Sequence, residues 1–400
     1  MNNQTNTKPN IKQPSIKQPN HKQCPVYRKC NGCQLQNMSY EKQLEWKQIK
    51  VAKLLDKFGK VNPIIGMDSP YHYRNKVQAA FRMDYRRKQI VSGVFQSSTN
   101  AIVPIDDCMI EDKKADEIIV TIRNMMKSFK MQPYDERSHR GFLRHVLVKR
   151  GFTSGQVMVV LVSASPIFSS KNNFIKVLLK EHPEITTIIL SVCDSETNLL
   201  LGNEKVLYGK GTIEDTLCGC KFRISAKSFY QINPLQTEVL YGKAIALAQL
   251  TGKETVLDAY CGIGTIGIIA SKHAGNVIGV EVNGDAVRDA ISNAKLNQIQ
   301  NIRFFKADAS AFINEMTEEN ENVDVIFMDP PRAGSDERFL ASVAKLAPKR
   351  VIYISCNPET QERDVLFLTK NGYSVKEIQP VDMFPFTNHV ECVVLLERKA

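Results

Sequence analysis

The sequence predicts an α/β fold: a doubly wound, mostly parallel sheet at the C-terminal end, behind a central mixed α+β domain and a small N-terminal cysteine segment. Three observations carry this. Short apolar runs from position 255 onward alternate with helical stretches at regular spacing, the rhythm of βαβ units. A glycine-rich turn over 261–267 follows the first run and opens a helix. Asn233-Pro234 supplies a cap and a first-turn proline for the helix that leads into the series.

Taken in order, residues 1–22 are Asn, Gln, Lys and Pro with almost nothing apolar, and IKQP occurs twice. Such a segment cannot bury enough surface to offset its ordering entropy, so a disordered basic tail is expected there. A cysteine segment and helix follow over 23–60. Leu44, Val51, Leu55 and Phe58 share one face from 40 to 58, Ser39 is the cap and Gly59 the stop. Residues 61–230 alternate strand-like runs (76–81, 157–162, 187–192) with helical stretches near 111–130 and 170–180. They are read as a central α+β domain. Residues 231–400 hold the regular series: TVLDAY, NVIGVEV, NIRFFKAD, VDVIFMD, RVIYIS, YSVKEIQPVD and HVECVVLL.

Composition narrows the function classes. At 400 residues the chain can bury substantial cores without disulfide staples. No apolar run approaches the roughly 20 residues of a membrane span, and the N-terminus has no secretory apolar region. A cytoplasmic setting is expected, with the ten cysteines as thiols, metal ligands or catalysts. The net charge is +11, and the first 40 residues carry six Lys or Arg and no acid. This fits a solvated basic tail or a polyanionic partner such as RNA. No obligate protein partner is evident.

The glycine turn spells G-x-G-x-x-G at Gly262, Gly264 and Gly267, and Glu281 ends the next strand, placed for a ribose. A nicotinamide cofactor is one reading. Three features tilt toward S-adenosylmethionine. Asp258 lies before the glycines, where it would face a cationic amino acid moiety but repel a pyrophosphate. The fourth strand ends in Asp329-Pro330-Pro331-Arg332, suited to a planar base or cofactor. A cysteine follows the next strand in Ser355-Cys356-Asn357-Pro358.

These segments resemble the S-adenosylmethionine-dependent RNA uracil-5 methyltransferases, closest to the iron–sulfur-containing 23S rRNA members. The matching stretches are CPVYRKCNGCQLQ, SFYQINPLQTEVLY, VLDAYCGIGTIG, GVEVNGDAV, FMDPPRAG, YISCNPET and FPFTNHVECVVLL, spanning residues 24 to 397. The resemblance implies a Rossmann-like class I methyltransferase domain, with cofactor contacts at Gln231, Tyr260, Glu281 and Asp329. Many members begin with an oligonucleotide-binding barrel; only 23 residues precede Cys24 here, so that barrel is expected to be missing. Ribosomal RNA, 23S, is the implied substrate, with the tRNA T-loop as the nearest rival. An RNA-binding iron–sulfur protein without catalysis is a rival from another class, against which Cys356 and Glu391 argue.

The chemistry explains the residue types. Uracil C5 is a poor nucleophile until a thiolate adds at C6, which makes Cys356 the expected nucleophile. The alternative is a small buried cysteine. A base must then remove the C5 proton. Glu391, a charge inside an apolar run, is the candidate, against an edge-strand glutamate on a wet face. His389 could assist, or be structural.

Cys24, Cys30 and Cys33 follow C-x5-C-x2-C. Spacing alone leaves zinc and iron–sulfur open. The resemblance implies a [4Fe-4S] cluster with Cys108 as fourth ligand. Two groups interleave cations with aromatics, Arg82/Tyr85/Arg86/Arg87/Lys88 and Arg140/Phe142/Arg144/Lys149/Arg150. They read as RNA-binding surfaces or as solvated faces.

Overall fold

The computed structural model describes residues 23–96, 99, 101–193, 201–319 and 321–399; the tail expected over 1–22 lies outside them. The chain opens with a short helix α1 (Tyr27–Cys30) and a longer α2 (Tyr40–Leu55). Ser39 caps α2, its side chain accepting the Lys42 amide, and a 3-10 turn over Asp56–Phe58 ends at Gly59. The buried face of α2 carries Gln43, Lys47, Val51 and Leu55, so half of it is polar.

Seven strands then form the central sheet: β1 (Lys76–Asp84), β2 (Gln89–Phe95), β3 (Ile102–Pro104), helix α3 (Lys113–Ser128), β4 (Leu143–Arg150), β5 (Val157–Ser163), helix α4 (Lys171–Glu181), β6 (Ile185–Val192) and β7 (Asn203–Tyr208). Their order is β3-β2-β1-β4-β5-β6-β7. Only β5–β6 is a parallel pair, and α4 makes that crossover. Every residue of β5 is buried, as a continuous apolar run in a sheet covered on both faces requires. A hairpin of β8 (Thr212–Leu217) and β9 (Cys220–Ser225) joins this domain to the next through a shared core.

The C-terminal series follows: α5 (Pro234–Ala248), β10 (Thr255–Ala259), α6 (Thr265–Ala270), β11 (Asn276–Glu281), α7 (Gly284–Leu296), β12 (Ile302–Lys306), α8 (Ala309–Glu318), β13 (Val325–Met328), α9 (Glu337–Leu346), β14 (Arg350–Ser355), α10 (Pro358–Lys370), β15 (Tyr373–Val381) and β16 (Glu391–Arg398). The sheet order is β12-β11-β10-β13-β14-β16-β15. All pairs are parallel except those of β16, which runs antiparallel between β14 and β15. The expected doubly wound fold is present.

Alternate residues of each strand face opposite cores. Val256, Phe327 and Val393 face α5 and α6, whereas Leu257, Ile326 and Val394 face α8, α9 and α10. Each such side chain contributes about 1.5–3 kcal/mol when fully buried. Helix α2 joins the second face through Val51 and Leu55. Residues 61–65, assigned on sequence to the central domain, instead run along β15, with Val61 bridging Ile378 and Ile65 bridging Val381. The cysteine segment is thereby fastened to the C-terminal sheet. Among the described residues no helix is long and apolar enough to cross a membrane.

Candidate active site

In an open sheet of this kind, ligands bind beyond the strand ends where the strand order reverses. Here that point lies between β10 and β13, flanked by the glycine turn and by Asp329-Pro330-Pro331-Arg332. Gly264 caps α6 with φ +82°, and a Cβ there would sit 2.9 Å from the Phe304 ring. Glycine meets both demands. Asp258 is buried, and its Oδ2 accepts the Gly267 amide at 2.7 Å. Burial, with Asp329 and Glu281 nearby, pushes its carboxyl up to about 8. The sequence reading aimed Asp258 at a cationic ligand moiety; the structure makes it first a brace for the turn.

Glu281 accepts the Gly262 amide at 3.1 Å and the Asn283 amide at 2.7 Å, tying the turn to the end of β11. A carboxylate has about four acceptor sites, so capacity for a ligand hydroxyl remains. Tyr260, at φ +64°, packs its ring on Phe339 at 5.1 Å, and its hydroxyl donates to Ser335 at 3.4 Å. The ring forms one wall. Gln231 is anchored through its carbonyl by Asn75 (3.0 Å), and its side chain bonds the Tyr241 hydroxyl. Tyr241 also bonds Thr265 and lies close enough to Asp329 and Asp258 for their charges to raise its hydroxyl. Sequence reasoning missed Tyr241, because it occupies an ordinary buried position on α5. Phe229 was missed too; it is 69% exposed, two residues before Gln231, and exposure is not written in sequence.

Cys356 follows β14. Ser355 Oγ accepts the Asn357 amide at 3.1 Å, and the Asn357 side chain caps α10 while its Nδ2 donates to the Arg332 carbonyl at 3.0 Å. The turn bearing Cys356 is thus tied to the loop after β13. Gln361 donates to the carbonyls of Tyr353 and Cys392, at 3.1 Å each, joining β14 to β16. The ladder pairs Ser355 with Cys392, so one further step brings Cys356 opposite Glu391. Glu391 is 4% exposed on an interior strand, which removes the wet-edge alternative.

The four groups influence one another. Burial, then the carboxylates of Glu391 and Asp329, push the Cys356 thiol up to about 11, while Arg332 opposes by charge and a hydrogen bond. Burial and Asp329 hold Glu391 well above the usual carboxylate range, again against Arg332. Burial raises Asp329 to about 7. Burial and the cations of Arg332, Lys50, Lys47 and Arg74 lower the His389 imidazole below its ordinary value, and its ring meets Phe384 edge-on at 6.2 Å.

Cys24, Cys30, Cys33 and Cys108 are all half-buried free thiols. Cys33 and Cys108 pack on one small cluster of Met67, Tyr73, Ile110 and Phe386. Burial lifts the Cys33 thiol to about 11, with Cys30 and Cys24 adding to the rise. Among the described residues, no group of three or more potential ligands is close enough to hold a metal ion. The four thiols are neighbours without forming a ligand shell.

Of the basic groups, Tyr85, on the β1–β2 turn with Arg86, Arg87 and Lys88, is 76% exposed. In the second group Arg140 is exposed, Arg144 binds Glu136 and lies over Tyr134, Lys149 is buried on the carbonyls of Ser225 and Ser228, and Arg150 pairs with Asp112. The buried Lys149 is therefore removed from the RNA-facing reading.

Comparison with known proteins agrees with this geometry. A family model described as tRNA (uracil-5-)-methyltransferase matches residues 39–399. An uncharacterized RNA methyltransferase of Halalkalibacterium halodurans is 42% identical over 382 residues, covering 94% of this chain and 83% of the relative. Another, from Clostridium acetobutylicum, is 42% identical over 383 residues with the same coverage. The crystal structure of Pyrococcus abyssi tRNA (uracil-54, C5)-methyltransferase in complex with S-adenosyl-L-homocysteine superposes with a TM-score of 0.78 at 29% identity, over 91% of this chain and 85% of that one. The chain therefore belongs to the tRNA (uracil-5-)-methyltransferase family of S-adenosylmethionine-dependent enzymes that methylate uracil in RNA.

Proposed function

We propose that this chain methylates C5 of a uridine in 23S ribosomal RNA, with Cys356 as nucleophile and Glu391 as base. The observation that carries the mechanism is the pairing of Cys356 with Glu391 across the end of the β14–β16 ladder, beside Asp329. Gln231, Tyr260, Glu281 and Asp329 form an aromatic wall and acidic ends that fit an adenosyl amino acid. Bound there, S-adenosylmethionine supplies the electrophilic methyl.

The Cys356 thiolate adds to uracil C6, and the C5=C6 electron pair moves into an enolate. Arg332 is the cation that lowers the Cys356 thiol by charge and a hydrogen bond. C5 takes the methyl from the sulfonium, whose C–S bonding pair would stay on sulfur. Glu391 then removes the C5 proton, the C5=C6 bond reforms, and Cys356 leaves as its thiolate. A carboxylate held above its usual range is better matched to proton abstraction near neutral pH. The target base must be unstacked to reach this depth, at a cost of a few kcal/mol. The Phe229 ring offers a stacking face for an unpaired base.

The 23S assignment draws on the four cysteines, which we propose hold a [4Fe-4S] cluster. The support is that Cys33 and Cys108 pack on one apolar cluster and that Cys30 and Cys24 lie near enough to raise the Cys33 thiol, although the thiols do not form a closed ligand shell. No catalytic step passes through it. A second reading, the tRNA T-loop, is favoured by the Pyrococcus abyssi tRNA enzyme. Mapping 5-methyluridine in rRNA and tRNA of a deletion strain beside its parent decides between them. Loss from 23S rRNA alone supports our reading; loss from tRNA alone overturns it.

A further inference from the structure

The chain reaches Glu391 through residues 382–389, a loop held mostly from outside. Its internal bonds run largely through Asp382 and Thr387. Its carbonyls are held by other elements. Gln236 and Asn233, at the start of α5, donate to the carbonyls of Asp382 (3.0 Å) and Met383 (2.9 Å). Lys47 donates to Phe384 (3.0 Å), Tyr73 to Pro385 (2.9 Å), the Leu35 amide to Phe386 (2.9 Å) and Lys50 to Asn388 (3.4 Å). The Phe386 amide in turn donates to Gln43 Oε1 at 2.8 Å.

Two features show how strongly α2 determines this loop. Lys47 forms an ion pair with Asp382 at 2.6 Å, with both side chains fully buried. Such a pair needs accurate geometry to offset desolvation, so it fixes one position rather than many. Phe386 is buried at φ +68°, a conformation that a non-glycine residue keeps only where its surroundings over-determine it. Gln43 and Leu35 hold it from both sides of the peptide.

We infer that Lys47, assisted by Gln43 and Tyr73, is a positioning residue for the base: the buried polar face of α2 sets where the loop presents Glu391 to the C5 proton. The inference rests on the reading of Glu391 as base. Cys356 follows a different strand and receives none of these bonds. Disturbing the clamp should therefore slow proton removal and leave thiol addition and methyl transfer largely intact. A merely structural role for Lys47 would weaken all steps together.

The test is single-turnover reaction of the full chain with methyl-labelled S-adenosylmethionine and total RNA from a deletion strain, resolved on denaturing gels. In Lys47→Met, a labelled protein–RNA adduct should form at near the parental rate and be released about 10- to 100-fold more slowly, the scale of a small misplacement of a reacting group. Tyr73→Phe and Gln43→Leu each remove one bond and should shift release in the same direction by less. If Lys47→Met does not fold, Tyr73→Phe, which keeps the shape, decides by the same criterion. Equal slowing of formation and release, or release at the parental rate, overturns the inference. Glu391→Gln is run alongside. If it traps adduct and no clamp variant does, only the positioning role fails; if it traps none, the base reading fails and the positioning role falls with it.

Discussion

Cys356 and Glu391 face each other one step beyond the Ser355–Cys392 pair, so the two groups proposed for uracil chemistry come from adjacent antiparallel strands. Gln361 pins both strands by bonding a carbonyl on each. The ladder brings nucleophile and base to adjacent strands, and the clamped loop 382–389 sets how Glu391 enters its strand.

Cys356→Ala should abolish methylation while binding of S-adenosylmethionine stays near normal, because no cofactor contact is assigned to that thiol. The parent should form a denaturation-resistant adduct with RNA carrying 5-fluorouridine at the target, since fluorine cannot leave as a proton does. An active Cys356→Ala enzyme would falsify covalent catalysis by this residue.

Glu391→Gln keeps the shape and loses the basicity. Turnover should fall by about 10²–10⁴, the usual worth of a general base. A methyl-labelled covalent complex should accumulate on ordinary RNA. Inactivity without labelled adduct would mean that Glu391 acts before methyl transfer.

Asp258 gives a pH-dependent stability prediction. Its folded carboxyl is raised to about 8, above its ordinary 3.8. A group raised on folding stabilises the native state below its unfolded value and loses that contribution as pH rises through the folded value. Asp258→Asn can still accept the Gly267 amide but cannot ionise. Without ligand, its melting temperature relative to the parent should therefore climb steadily from about pH 4 to pH 8, the interval between the two values. Thermal denaturation across that range checks this, and a constant offset would show that Asp258 ionises in the folded state at its ordinary value.

Protein purified without oxygen should be brown and contain iron and acid-labile sulfide, as a thiolate-held cluster requires. Elemental analysis finding stoichiometric zinc and no iron would sink the cluster proposal.

The catalytic half was legible because its punctuation is local. Glycines, Asp-Pro-Pro-Arg and Ser-Cys-Asn-Pro each mark a strand end, and the structure draws those ends together. What lay beyond the sequence was non-local. Periodicity found β16 but not its insertion between β14 and β15, which is what excludes the wet-edge alternative for Glu391. The apolar stripe of α2 was read through Leu44, Val51, Leu55 and Phe58, and an apolar pattern gives no place to Lys47, which the structure puts on the buried face. Its partner is 335 positions away. Tyr241 carried no signal either, because a tyrosine on a buried helix face looks the same whether or not its hydroxyl meets two carboxylates.

The Lys47–Asp382 pair also sets a schedule for biogenesis. The lysine is synthesised 335 residues before its counter-ion. At typical elongation rates of about 5–20 residues per second, that interval is roughly 20–70 s. Throughout it, α2 cannot bury its polar face, because an unpaired buried cation is strongly disfavoured. The N-terminal segment must wait in solvent while the central domain and most of the second sheet emerge. It docks only when the last two strands arrive. A ribosome stalled before codon 382 therefore holds a chain whose first long helix has no native place to go.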